Sequence, residues 1–166
     1  MTTRRADLIA ALEASLGDPR GGLPEDVFQF VGRITPLVNV DLLIQDDRGR
    51  TLLTWRDDQA FGRGWHVPGS VIRYQETAAV RIQACAREEL GADVTCAPAP
   101  IAVMETILDQ RDRAHAVSLL YRCALLGPPD PARQAAGNPA TRGQWRWHAT
   151  PPPDLLAVQR DYARFF

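Results

Sequence analysis

The stretch from Gly69 to Ala92, GSVIRYQETAAVRIQACAREELGA, decides how the rest of the chain is read. Thr77 to Leu90 contains neither Gly nor Pro and stops at Gly91, which predicts a helix with a glycine end. At 100° per residue Ala79, Ile82, Ala86 and Leu90 share one narrow sector, the expected core face. Beside it lies a second sector with Arg81, Cys85, Glu88 and Glu89, so two adjacent carboxylates sit half sheltered on the rim of a buried helix. Just upstream, Trp65-His66-Val67-Pro68-Gly69-Ser70 is a rigid turn whose glycine lets a backbone carbonyl approach an ion closely. Carboxylates and a carbonyl are hard oxygen donors, the kind that suits Mg²⁺ or Mn²⁺. The alternative is a solvated helix end, with the two glutamates paired to Arg81 or Arg87.

Outward from this helix the pattern alternates. Val38, Val40, Leu42 and Ile44 predict a strand, Asp46-Asp47-Arg48-Gly49 a turn, and Thr51 to Arg56 the returning strand. Asp57 to Gly64 reads as a polar loop. Ile101 to Leu108 and His115 to Leu126 read as two further strands, and Gly127 to Pro139 as a proline-rich surface loop. Asp154 to Phe166 reads as a closing helix with Asp154 as its N-cap. Before the first strand come two helical stretches, one with Leu8, Leu12 and Leu16 on a stripe, and one that starts at Pro24 with Val27, Phe28 and Val31 on a face. Strands on both sides of one central helix make this an α/β chain of two or three layers. The division is a helical extension over 1–35 and a main domain over 36–166.

The composition excludes several classes. The 166 residues carry a net charge of -1, so no positive field favours a nucleic-acid partner. All 19 basic residues are arginine. Cys85, Cys96 and Cys123 are odd in number and widely spaced, which fits a reducing compartment rather than a disulfide framework or a zinc pair. No membrane span or targeting segment is expected, and a cytoplasmic location is.

Gly69 through Ala92 resembles the signature of the Nudix (MutT-like) hydrolases. In that signature a glycine, five residues, a glutamate and seven more residues precede Arg-Glu-apolar-any-Glu-Glu-any-Gly. Glu76, Ala86, Glu88, Glu89, Gly91 and Ala92 fall in register. Ser70 takes the glycine position, Ala84 the arginine position and Cys85 that of the first helical glutamate. The flanks PLVNVDLLIQDDRGRTLLTWR and GWHVPG fit the same family. They look closest to its GDP-mannose mannosyl hydrolase branch, which also has a degenerate box and an N-terminal extension. The resemblance implies an α/β/α sandwich with a mixed sheet, and Mg²⁺-dependent hydrolysis of a nucleoside diphosphate linked to another moiety, such as a sugar. It implies Gly69, Glu88 and Glu89 as metal ligands, and Glu76 as a brace between loop and helix. It also implies Asp41 and Arg56 as residues that bind the sugar nucleotide. The branch's histidine base has no match, because the loop from Ala140 to Gln144 holds Arg142 and no histidine. Cys85 cannot replace an oxygen ligand well, which predicts weaker metal binding.

Single residues add further expectations. Arg56 ends an apolar strand and can grip a diphosphate bidentately, or it is a surface charge. Asp41 interrupts an apolar strand, so it binds ligand or pairs with an arginine. Glu105 is a candidate extra metal ligand or general base, and His115 is a candidate base or a packed strand-end histidine. His66 reads as packing or base stacking. Trp145 and Trp147 share one strand face, as core or as a nucleobase platform. The apolar faces of residues 1–35 predict a homodimer. The second function class is a catalytically weak domain that binds a nucleotide or sugar nucleotide as a sensor.

Overall fold

The computed structural model describes residues 2–166. The expected α/β architecture is what it shows. Two helices, α1 (Thr2–Ser15) and α2 (Glu25–Ile34), precede a five-stranded mixed sheet built from β1 (Leu37–Ile44), β4 (Gly69–Val71), β5 (Val94–Cys96), β6 (Ala102–Ile107) and β7 (His115–Leu125). In it β1 lies parallel to β7 and antiparallel to β4, while β5 and β6 both pair antiparallel with β7. A second, antiparallel sheet sets β2 (Thr51–Asp58) between β3 (Gly62–His66) and β8 (Trp145–His148). The central helix α3 (Ala78–Leu90) crosses the mixed sheet.

Strand β1 is buried on both sides, and its period of two sends alternate residues to different cores. Val40, Leu42 and Ile44 join Ile82, Cys85, Ala86 and Leu90 under α3. Leu43 joins Trp55, Trp65, Val67, Leu120 and Tyr162 on the opposite face. Asp41 has the parity of Leu43, so it is carried into that second interior with only 4% exposure.

α3 begins and ends as expected. Thr77 caps it by accepting from Val80 N at 3.3 Å, and Gly91 ends it in the left-handed region at φ 64°. Its buried face is Arg81, Ile82, Cys85, Ala86 and Leu90, whereas Ala79, in the first turn, is exposed.

Two other expectations are corrected. The loop over 57–64 is mostly strand: β2 runs to Asp58, β3 starts at Gly62, and the turn closes on Asp58 Oδ1, which accepts from Ala60 N at 3.0 Å and Phe61 N at 2.9 Å. The closing helix does not start at Asp154. Asp154 O accepts from Trp65 N and Leu156 N donates to Trp65 O, both at 2.9 Å, so this backbone is occupied along β3. Only a 3₁₀ helix, Ala157–Phe165, follows. The apolar face of α2 is engaged in part within its own chain, while Phe30 and Ile34 stay exposed at 42% and 65%. Phe28 packs on Arg113, and Arg33 Nη1 pairs with Asp112 Oδ1 at 2.8 Å, which docks α2 on the β6–β7 turn of its own chain. On α1, by contrast, Leu8, Ile9 and Leu12 are exposed. Among the described residues no helix is long and apolar enough to cross a membrane.

Candidate active site

Gly69 stands opposite Asp41 in the β1–β4 pair, and a Cβ on Gly69 would run into the Asp41 carboxylate. The missing side chain lets β4 lie close enough for Gly69 N to donate to Glu89 Oε1 at 3.2 Å. The other oxygen of Glu89 accepts from Thr54 Oγ1 of β2 at 2.6 Å. Thr54 Oγ1 also lies 3.1 Å from Nε2 of the buried His66, whose Nδ1 donates to the Val67 carbonyl at 2.8 Å. A carbonyl can only accept, so Nδ1 carries the proton and Nε2 presents a lone pair. Burial, reinforced by the charge of Arg56, pushes His66 down to about 3 and keeps it neutral. Burial also raises the pKa of Glu89, against the bonds from Thr54 and Gly69. Thr54 has one hydroxyl proton for two acceptors. The shorter of the two contacts, 2.6 Å, is the one to Glu89.

Glu88 has other partners. Its Oε1 lies 2.9 Å from Nη2 of Arg81, which is 2% exposed, and 3.9 Å from Nη2 of Arg73. Arg81 Nε stands 3.7 Å from Glu76 Oε2, and the same oxygen accepts from Arg73 N at 2.9 Å. Arg81 thus supplies, one turn earlier, a guanidinium for the helix that the sequence lacks at Ala84. Cys85 Sγ lies 3.9 Å from Glu89 Oε1, and burial together with the Glu89 charge pushes its thiol up. Both causes favour the protonated thiol.

Of these groups, Thr54, His66, Glu88 and Glu89 border a cavity of about 660 Å³. Glu88, Glu89 and His66 line it together with Arg56, Arg133 and Arg142, and Arg133 Nη1 donates to the Glu88 carbonyl at 2.6 Å. A smaller cavity of about 70 Å³ shares Arg56 and His66 with it and reaches Asp41. Asp41 pairs with no arginine. Its Oδ2 accepts from the Tyr162 hydroxyl, and Ser118 adds a second bond. Burial pushes Asp41 up to about 6, while those two bonds and Arg56 pull it back.

Other expected residues are placed elsewhere. Glu105 and His115 are not brought to Glu89. They pair with each other at 3.2 Å, and neither borders the two cavities. Parity is the reason: in β6 it is Met104 that reaches the core and Thr106 that faces the small cavity, and Glu105 lies on the other face. Trp145 and Trp147 belong to the core beneath α3 and are not a platform. His66 serves as a hydrogen-bonded wall of the site. Thr54, Arg113, Arg133 and Tyr162 were not singled out by sequence, since nothing local distinguishes them from ordinary strand, turn and helix residues.

The donor set fits Mg²⁺ held jointly with a substrate. Among the described residues no three His, Cys, Asp or Glu side chains converge to form a metal cage. Mg²⁺ does not require one: it keeps waters and is bound by one or two carboxylates plus substrate phosphates. Glu88 and Glu89 are hard oxygen donors that border the cavity, and Gly69 is tied to Glu89 through its amide.

No family model matches the chain. It is 36% identical over 77 residues to the low-salt glycan biosynthesis protein Agl8 of Haloferax volcanii, a match that covers 46% of this chain and 49% of that protein. The match therefore spans about half the length of this curated relative. Solved structures align over more of the chain. A possible asymmetric diadenosine tetraphosphate hydrolase from Jonesia denitrificans shares 21% identity, covers 80% of this chain and 92% of its own, and has a TM-score of 0.62. The MutT Nudix hydrolase of Burkholderia pseudomallei shares 24% identity over 78% of this chain and 97% of its own, with a TM-score of 0.61. The MutT protein of Methanosarcina mazei shares 16% identity over 80% and 94%, also with a TM-score of 0.61. The chain has the fold of the Nudix hydrolases.

Proposed function

We propose that this chain hydrolyses a nucleoside diphosphate linked to another moiety, with a nucleoside diphosphate sugar as the favoured class. The observation that carries the reading is the 660 Å³ cavity, lined both by arginines, among them Arg56, Arg133 and Arg142, and by the Glu88–Glu89 pair. A diphosphate has the charge for the first, and a divalent ion shared with it has the chemistry for the second. Arg56 grips the phosphates. Glu76 and Arg81 hold the loop and helix in register, which fixes Glu88 and Glu89. Thr54 and the Gly69 amide orient the Glu89 carboxylate, and Glu89 can hold or release a proton at Oε2. Asp41, with Tyr162, accepts from a substrate hydroxyl beyond Arg56. Glu88, Glu89 and the Gly69 carbonyl would hold Mg²⁺, which would supply charge neutralisation at the phosphates and activation of a water.

Cys85 favours a second reading, a nucleotide-binding sensor with weak or no turnover. One screen separates the two. Nucleoside diphosphate sugars, dinucleoside polyphosphates and nucleoside triphosphates are incubated with Mg²⁺ or Mn²⁺, and the released species are identified. Turnover of a diphosphate-linked compound supports the hydrolase. Micromolar binding without turnover supports the sensor, and neither result sinks both.

A further inference from the structure

Arg113 is the residue of this region that no motif explains. It sits in the turn between β6 and β7 with φ 54°, a left-handed conformation that a residue with a long side chain seldom adopts. That backbone is held from outside. Gly32 of α2 packs against Arg113 N, where a Cβ would lie 3.6 Å away, and the Arg33–Asp112 ion pair ties the same turn to α2. The guanidinium is turned inward between two rings: its Cζ lies 5.6 Å from the Phe28 centroid and 4.7 Å from that of Phe61. The Arg56 guanidinium lies over the same Phe61 ring at 5.3 Å. Two cations therefore share one aromatic ring at the point where the 660 Å³ cavity, the 70 Å³ cavity and a third, of about 580 Å³ beneath α2, all meet.

The arrangement is costly without a ligand. Arg113 Nε is buried and has no hydrogen-bond partner. Asp58 and Glu25 act on Arg113 only at a distance, and Asp58 is also the partner of Arg56, at 3.4 Å. Burial and the neighbouring Arg56 charge lower the pKa of Arg113, as expected of a cation whose surroundings favour its neutral form. Stacking on Phe28 and Phe61 offsets only part of this. A group with two negative charges between the guanidiniums supplies what is missing: acceptors for the orphan N–H and a counter-charge for both cations.

We propose that Arg113 is the second jaw of a diphosphate clamp whose first jaw is Arg56, and that α2 of the N-terminal extension is the part that holds this jaw in place. The claim rests on the diphosphate reading of the site. It changes the role of the extension, which becomes a wall of the binding site.

The test is metal-free calorimetry with inorganic pyrophosphate and with GDP, on the full chain. The variants are Arg113→Met, which keeps the bulk and the stacking but removes the charge, and Arg113→Lys, which keeps the charge but loses the fork. Arg63→Ala is the control, because Arg63 is exposed and pairs only with Asp57. Thermal melts confirm that each variant folds. Arg113→Met is expected to weaken pyrophosphate by about ten- to a hundredfold, in line with the loss of charge-assisted hydrogen bonds. Arg113→Lys falls between it and the parent, and the control stays within twofold. Phe28→Ala, which removes the α2 contact but no charge, is expected to weaken pyrophosphate as well. If the parent binds pyrophosphate and Arg113→Met binds it equally well, the clamp is wrong. A parent that binds neither probe at millimolar concentration also overturns it. If pyrophosphate binding depends on Arg113 while no diphosphate-linked compound is turned over, the clamp stands and the hydrolase reading fails.

Discussion

Gly69 N donates to Glu89 Oε1 across 3.2 Å, so the first residue of β4 and the penultimate residue of α3 form one unit. This bond exists because Gly69 has no Cβ to meet the Asp41 carboxylate behind it. Gly69→Ala is expected to push β4 off β1, with a stability loss of about 1–3 kcal/mol from overpacking. Urea denaturation measures it. A loss below about 0.5 kcal/mol, within the range of surface substitutions, would show that β4 can shift freely.

Glu89→Gln tests the metal site. Glutamine preserves the shape and the bonds with Thr54 and Gly69 but removes the charge that a hard cation needs. Mg²⁺ affinity is expected to fall by at least about tenfold, as for the loss of one charged ligand interaction. In the parent, burial favours a proton on Glu89 that a cation must displace, so Mg²⁺ affinity is expected to rise as pH rises. Unchanged affinity in the variant, or pH-independent affinity in the parent, would remove Glu89 from the site.

The sequence told most about the pieces near the helix. Thr77, Gly91 and the Glu76-to-Glu89 spacing act locally, so the cap, the stop and the carboxylate pair were legible from their order in the chain. Asp41 was legible as an odd charge in an apolar strand, but its partners, Tyr162 and Ser118, are set by tertiary packing. Glu105 failed for a definite reason. It was assigned by its presence in a strand, whereas parity with Val103 and Ile107, both exposed, places it on the outer face. Arg113 was invisible because its importance comes from a left-handed turn and two distant rings. The C-terminal segment shows tertiary pairing overriding helix propensity, since the backbone of 154–156 is already committed to Trp65.

Two buried or half-buried histidines set an acid limit on stability. His66 is pushed down to about 3 and His148 to about 4, in both cases chiefly by burial. The folded state keeps them neutral while the unfolded chain takes up protons below the ordinary histidine value of about 6.5. Their contribution is complete above that pH and is lost as pH falls toward 4. Asp41 acts in the opposite sense. Raised to about 6, it contributes stability at acid pH that is lost as pH rises from the ordinary aspartate value through 6. Glu89, which burial also raises, acts in the sense of Asp41, so one histidine is isolated by difference: His148 is expected to contribute a drop in the unfolding midpoint between about pH 6.5 and 4. His148→Gln should flatten that drop, and a curve identical to the parent's would show that His148 plays no part.

The face of α1 with Leu8, Ile9 and Leu12 is exposed at 64%, 50% and 37%, and it offers an apolar stripe for a second copy. The paired substitutions Leu8→Asp and Leu12→Asp are expected to turn a dimer into a monomer in sedimentation velocity, with the melting temperature of the main domain unchanged. A parent that is already monomeric at micromolar concentration rules the dimer out.

Cys85 offers the most discriminating substitution. Its thiol lies 3.9 Å from Glu89 Oε1 and is fully buried, so a carboxylate placed there points at the same end of the cavity as Glu89. Without a cation, Cys85→Glu puts an unpaired charge beside another carboxylate, and the melting temperature should fall. With Mg²⁺ the added oxygen ligand should raise affinity, and because the ion binds only the folded state, the melting temperature should recover more steeply with Mg²⁺ than in the parent. Turnover then divides the two functional readings. A variant that gains both metal affinity and rate is a repaired hydrolase. One that gains affinity and releases no product marks the parent as a binding module. A melting temperature that does not respond to Mg²⁺ in the variant would mean that position 85 does not serve the metal site at all, and the alignment of the helix with the Nudix signature would have to be abandoned.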